Sequence, residues 1–276
     1  MAFTISHLAA AIPFYRSRWF NFEALMIGTM LPDLPYVLGS YSKLSQKSHD
    51  WSGIISYCLP SGLVVFSVWH WVLRPAVKAL IVPWLIRGDY KALEEHKAYL
   101  IKDGFIFWLK VSLGLMLGAA THLVWDGTTH SDGFIAQQFL WLQSEVKLPY
   151  LEVMSGARVL QYLTSIMALA WLARFGFQHL QEFKRTLNSR FLIKDSHKKS
   201  KRYLSLLVVS AAVSSSIMGG IFAGLGSGQL YASDHYGFFA KVLVGVMQGG
   251  MLSMVAYAAT FKLYYQFQKL QFFVYK

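Results

Sequence analysis

Five apolar runs, each about as long as a helix that crosses a bilayer, decide most of what this chain can fold into. They read as Ser52–Leu73, Phe105–Trp125, Gly156–Phe175, Tyr203–Leu230 and Phe238–Phe261. A crossing helix needs about 20 such residues, because every backbone polar group must find its partner inside the element. Composition agrees: 55% of the 276 residues are hydrophobic and 14% charged, against about 25% charged in a soluble domain. The expectation is an all-α, polytopic membrane bundle forming one membrane domain over residues 1–276. Within it, residues 52–175 hold core spans and 203–262 a C-terminal helical hairpin.

The first 51 residues differ from the rest. Phe3–Phe14 is mildly amphipathic and ends at Arg16 and Arg18, which suits a short helix lying at or dipping into the interface. Phe22–Tyr41 is apolar but broken by Leu31-Pro32-Asp33-Leu34-Pro35. Two prolines and a charge argue against a straight crossing, so a re-entrant hairpin is expected, with Asp33 at its tip or its break. The start, M-A-F-T-I-S-H, lacks the basic and apolar regions of a cleaved signal peptide. Cys58 is the only cysteine, so neither a disulfide framework nor a thiolate zinc knuckle is expected. Gly220 and Gly224, four apart in the fourth run, suit close helix packing.

The net charge of +12 lies in the connections. Basic loops between spans read as topology determinants and contacts to anionic lipid, and no basic stripe with interleaved aromatics offers a nucleic-acid face. Residues 74–104, 177–202 and the C-terminus carry the lysines and arginines, whereas 127–155 contains Lys147 alone before Arg158 and 232–236 has none. The positive-inside rule then places the C-terminus in the cytoplasm and the weakly basic loops outside. His49 falls at the outer end of the first span, and the stretch Gly118–Gly133 at the outer end of the second.

That stretch, G-A-A-T-H-L-V-W-D-G-T-T-H-S-D-G, carries the chemistry. His122 and Asp126 are i and i+4, hence on one helix face. Gly127 and the two threonines after it suggest a helix end near Asp126, with His130 on the turn beyond. One histidine beside one aspartate is commonly just a hydrogen-bonded pair. The wider set on the outer face is His7, Asp33, His49, His122, Asp126 and His130. Ionisable groups at membrane depth are costly and so point to function. Such a set can hold one zinc with an open position, or two metals sharing a carboxylate. The bound water would reach a pKa of about 7 and attack a phosphoryl or acyl centre, with Asp33 or Asp126 as bridging ligand or general base. Asp132, Glu152 and His235 lie in the outer loops where they could support the ligands from behind. Phosphate loops, nucleophile elbows and HExxH signatures are missing.

The segments S-H-L-A-A-A-I-P, I-G-T-M-L-P-D-L-P-Y, S-H-D and G-A-A-T-H-L-V-W-D-G-T-T-H-S-D-G, in this order, resemble a bacterial integral-membrane family catalogued as domain of unknown function 4184. W-H-W-V-L-R-P and L-Q-Y-L-T-S extend the resemblance over most of the first 175 residues. More distantly, the sequence is similar to inner-membrane proteins described as metal-dependent hydrolases, and to zinc-dependent phospholipase C. The resemblance implies that His7, Asp33, His49, His122, Asp126 and His130 ligate one to three zinc ions, with Asp33 also the base. It implies a lipid or lipid-linked phosphoester substrate, and a multi-pass protein of the bacterial inner membrane whose site faces the periplasm. The later H-x-x-x-E pair of the phospholipases has no counterpart here, which bears on the third metal. The alternative is a transport or assembly factor with an ion-binding or vestigial site. The oligomeric state stays open.

Overall fold

The computed structural model describes residues 4–39, 43–85, 104–147, 153–190, 198–228 and 235–274, of which 82–85, 183–190, 198–201, 235–236 and 265–274 are described by their backbone alone. In chain order the elements are a 3₁₀ helix, Thr4–Phe14, then α1 (Phe22–Gly28), α2 (Leu34–Val37), α3 (Lys43–Ser48) and α4 (Trp51–Gly53). α5 (Leu59–Val68) and α6 (Arg74–Leu85) follow, joined to α4 and to each other by π-turns at Ile54–Cys58 and Trp69–Leu73. Then come α7 (Gly104–Thr129), α8 (Leu140–Gln143), α9 (Gly156–Arg190), α10 (Lys198–Leu225) and α11 (His235–Val274). Two-residue strands, β1 (Glu145–Val146) and β2 (Met154–Ser155), pair antiparallel before α9.

Five of these helices are long and apolar enough to cross a membrane: Trp51–Ile81, Gly104–Thr129, Gly156–Glu182, Arg202–Leu225 and Gly237–Tyr264. The all-helical, five-span architecture is therefore as expected, with two boundary corrections. The first span does not stop at Leu73, because the π-turn at Trp69–Leu73 carries the helix on into α6. The second does not end at Asp126. Thr128 and Thr129 donate their hydroxyls to the carbonyls of Val124 and Trp125, at 2.6 and 3.0 Å, and the helix runs on to Thr129. Gly127 is required for packing instead, since a Cβ there would strike the Phe134 ring.

The chain divides into two compact units. The first comprises Phe3–Phe66 and Leu100–His179. Its N-terminal arm is a hairpin: the 3₁₀ helix runs away from the α7 C-terminus and α1 runs back. At the turn, the Asn21 N–H donates to the Lys110 carbonyl at 3.1 Å, and Tyr15 packs edge-on against Phe175 and His179. Lys110 lies roughly 24 Å along α7 from Asp126, at 1.5 Å per residue. Asp33 sits in the break between α1 and α2, one of the two places expected for it.

Asn21 caps α1 by accepting from the Ala24 N–H at 2.9 Å. Small residues set four apart then let α1 lie directly on α7: Ala24 and Gly28 on one side, Gly114 and Gly118 on the other. A Cβ on Gly28 would meet the Leu115 backbone, and one on Gly118 would meet the Leu25 carbonyl. Such spacing permits backbone contact between membrane helices. Leu31, Ile54, Cys58, Phe66, Val111, Leu115 and Leu123 close the core around this seam.

The second unit comprises Ser67–Tyr99 and Leu180–Lys276. Here α10 and α11 form an antiparallel pair in which the backbones of Gly219 and Gly245 meet and Gly249 lies on Ser215. Ser215 Oγ donates to the Gly249 carbonyl at 2.8 Å, and Ser205 Oγ to the Leu80 carbonyl at 2.7 Å. Gly220 does face Val246 closely, but Gly224 has only ordinary contacts.

Candidate metal centre

α7 presents His122 and Asp126 one turn apart at the end of the α1–α7 seam. His122 Nε2 lies 3.2 Å from Asp126 Oδ2 and 3.9 Å from Asp33 Oδ1. Asp33 arrives from the break after α1, held between Pro32 and Pro35, both buried. His49, from the end of α3, brings Nε2 to 3.4 Å from Asp33 Oδ1 and 3.9 Å from Asp126 Oδ2. His7, from the 3₁₀ helix, places Nε2 3.3 Å from Asp126 Oδ1 and stacks its ring on His122 with centroids 4.0 Å apart.

These distances run longer than the usual charge-assisted hydrogen bond and are compatible with a shared ion. Charge-assisted N–H···O bonds shorten to about 2.7–2.9 Å. Atoms about 2.1 Å from a tetrahedral zinc stand roughly 3.4 Å from one another, which is where these pairs cluster. Two overlapping groups converge, His7–Asp33–His122 and His49–His122–Asp126, each with ligand atoms within 4.8 Å of one another. Three buried atoms of the first group, His7 Nδ1, Asp33 Oδ1 and His122 Nε2, have no hydrogen-bond partner. An unpaired buried polar atom is expensive, and a cation in the cluster would satisfy Asp33 Oδ1 and His122 Nε2.

Neighbouring groups aim these side chains. A carbonyl can only accept, so Nδ1 of His122 must donate to the Thr29 carbonyl at 2.8 Å, which turns Nε2 into the cluster. His49 is fixed likewise, Nδ1 donating to the Ser45 carbonyl at 2.9 Å. Ser45 is in turn tied down by Ser48, whose hydroxyl lies 2.8 Å from the Ser45 carbonyl and 2.7 Å from that of Pro32. Thr4 donates its hydroxyl to Asp33 Oδ2 at 2.6 Å and leaves Oδ1 to the cluster.

Protonation states suit a cation. Burial raises the Asp33 carboxyl, but the facing imidazoles, His122 foremost and then His49, outweigh this and hold it below the usual carboxylate range. Burial, then the neighbouring His122, push the His7 imidazole down to about 3. At neutral pH the arm therefore offers an ionised carboxylate and a neutral imidazole, the forms that bind metal.

His130 stands apart from both converging groups. Its Nδ1 is 3.2 Å from the backbone carbonyl of Asp126, and its Nε2 is 3.2 Å from the Gln161 amide on α9. It forms the half-exposed rim of the cluster, with Nδ1 3.7 Å from Asp126 Oδ1. Asp132 is exposed on the following turn, where its backbone carbonyl accepts from Gln137. Glu152 and the side chain of His235 fall outside the described residues. Trp125 packs its ring edge-on against His7. Sequence reading missed Thr4, Thr29, Ser45 and Gln161. Two act through backbone carbonyls, which no side-chain pattern reveals, whereas Thr4 was legible only once the arm was known to fold back.

Fold and site together define a multi-pass membrane protein with a buried histidine–aspartate cluster able to hold a metal ion. It belongs to the family described as Domain of unknown function (DUF4184), which matches residues 1–259. No curated protein and no solved structure matches the chain.

Proposed function

We propose that the protein is a membrane-embedded, metal-dependent hydrolase of a phosphoester in a lipid or lipid-linked substrate. The observation that carries this is the coincidence of the unpartnered buried atoms with the converging donors. Two carboxylates balance one divalent cation, and His122 has one nitrogen left for both groups, so a single ion fits best. Imidazole and carboxylate donors favour zinc. When bound, the ion supplies a water acidified towards a pKa of about 7.

The chain's own residues do the rest. Thr4 holds Asp33 so that Oδ1 faces the cluster as a donor to the ion. His49 and His122 are orientated by backbone carbonyls and need no rearrangement. His130, hydrogen-bonded to Gln161 at the rim, meets the substrate head group. An ion pathway would spread ionisable groups through the depth of the helices, yet the buried ones among the described residues are His7, Asp33 and His122. We place the site at the periplasmic side of a bacterial inner membrane, since α9 leads from it towards the basic stretch Lys184–Arg202.

Elemental analysis of the purified protein tests this. One equivalent of zinc is expected, lost in His122→Ala, with phosphoester hydrolysis that Asp33→Asn abolishes. A stable, monodisperse protein free of metal overturns the proposal.

A further inference from the structure

The turn of the N-terminal arm lies at the other end of the first unit from the cluster, and two helices measure the distance. Asn21 is bonded to Lys110, roughly 24 Å along α7 from Asp126. Tyr15 packs on Phe175 and His179. Phe175 in turn lies about 21 Å along α9 from Gln161, which touches His130. The 3₁₀ helix itself rises about 22 Å over its 11 residues. Both α7 and α9 are long and apolar enough to cross a membrane. An arm lying along them therefore passes through most of the roughly 30 Å of hydrocarbon, and its turn comes to the head groups of the far leaflet.

The turn is ordered by its own bonds. The Ser17 N–H donates to the Phe14 carbonyl at 2.9 Å and the Trp19 N–H to Ser17 Oγ at 3.2 Å. Edge-on ring pairs, Phe14 with Phe20 and Tyr15 with Phe22, close its base. The exposed side chains are basic and aromatic. Arg16 and Arg18 are exposed, Trp19 is 66% exposed, and the Arg18 guanidinium stands over the Trp19 ring, 5.6 Å from its centroid. Among the described residues neither arginine has a carboxylate partner. Arg174 is exposed beside Phe175 on α9, and Glu23 is the one acid in the first 32 residues. Tryptophan rings favour the head-group level of a bilayer, and a guanidinium without a partner offers phosphate a fork of parallel N–H donors. The excess of positive charge favours an anionic head group over a zwitterionic one.

We infer that the turn at residues 15–21 binds the phosphate of an anionic phospholipid in the leaflet opposite the cluster, with Arg16 and Arg18 as its cations and Trp19 seated among the head groups. This stands on the arm alone and not on the hydrolase reading. With the orientation proposed for the site, the leaflet is the cytoplasmic one, whose negative surface favours each nearby basic residue by about fivefold.

Bromine on a lipid chain quenches the tryptophans it touches. The test places the full-length protein in vesicles of phosphatidylcholine and phosphatidylglycerol, one of the two brominated, and reads Trp19 as the difference between wild type and Trp19→Phe. Brominated phosphatidylglycerol is expected to quench this signal about fivefold more effectively, and Arg16→Gln/Arg18→Gln should remove the preference. Either single substitution replaces the pair if the pair is not monodisperse. Equal quenching by the two lipids, or a preference unchanged by loss of the arginines, overturns the inference. Quenching by neither lipid overturns it too, and would leave the turn in water for an acidic protein partner. Placement is read separately. In a Cys58→Ala background, an impermeant maleimide should reach Ser17→Cys and Asp132→Cys from opposite sides of the membrane, and labelling of both from one side overturns the inference. Metal content and hydrolysis enter none of these readouts, so the two proposals fail independently.

Discussion

His122 donates its Nδ1–H to the carbonyl of Thr29, 2.8 Å away and 93 residues earlier in the chain. A histidine on one spanning helix is thereby aimed by the end of another helix, and the link is only as good as the seam that joins them. That seam is glycine against backbone, so the site should respond to substitutions that never touch it.

Gly118→Ala puts a methyl onto the Leu25 carbonyl. Overpacking of this kind costs about 1–3 kcal/mol and moves Thr29 away from His122. Stability and metal content should fall together, while Gly176→Ala, with nothing within 4 Å of its Cβ, should change neither. Full metal loading in a destabilised Gly118→Ala would uncouple seam from site.

Thr4→Val keeps the branched shape but removes the hydroxyl that holds Asp33 Oδ2. Loss of such a supporting partner weakens metal binding by roughly 10–100-fold. Competition with a chromophoric chelator reads this directly, and wild-type affinity in the variant would deny Thr4 its orienting role.

Asp126 lies in the last turn of α7, where a helix end disfavours an anion by about 0.3–1 kcal/mol. As a bystander it should be neutral or mildly stabilising to replace. As a ligand, Asp126→Asn should lose the stabilisation that bound metal gives, about 2.7 kcal/mol at a free concentration 100 times the Kd. The two roles predict opposite signs for the change in Tm, measured with and without chelator.

In chelated protein, acid should destabilise through His7. Above a pH of about 6.5 the residue is neutral in both the folded and unfolded states. Below that the unfolded chain takes up a proton, whereas folded His7 resists until about 3. Stability therefore falls as pH drops through this window, by about 2 kcal/mol between pH 6.5 and 5. His7→Phe keeps the ring but cannot titrate, and should flatten the slope. An equal slope in both proteins would assign the acid sensitivity elsewhere.

A reporter fused after Lys198 should behave as cytoplasmic and one inserted near Gln143 as periplasmic. The reverse pattern inverts the orientation proposed for the site.

Much of this was open to reading in the sequence, for identifiable reasons. The spans announce themselves because lipid leaves helices no other way to satisfy their backbones. His122 and Asp126 are visible as a pair because helical spacing is local. Asp33 is visible because two prolines and a charge cannot sit inside a spanning helix. The path of the arm was hidden. Its 3₁₀ helix has too weak an amphipathic pattern to say what it lies against, and the spacing of Gly114 and Gly118 announces close packing without naming a partner. His130 was grouped with the ligands because it lies just beyond Asp126 on the same outer face and matches the order of the resembling family. Its ring instead meets a backbone carbonyl and Gln161, and nothing in the sequence links residue 161 to residue 130.

The arm is made first and completed last. Ribosomes add about 5–20 residues per second, so the 93 residues between Thr29 and His122 take roughly 5–20 s to appear. Throughout that interval His7 and Asp33 exist without the helix that receives them, and a bare carboxylate cannot rest in hydrocarbon. The N-terminal segment must wait at the water boundary and fold inward only after α7 has been threaded. A nascent chain stalled before His122 should leave a cysteine placed at residue 5 open to a water-soluble thiol reagent, and one stalled beyond Ser155 should shield it.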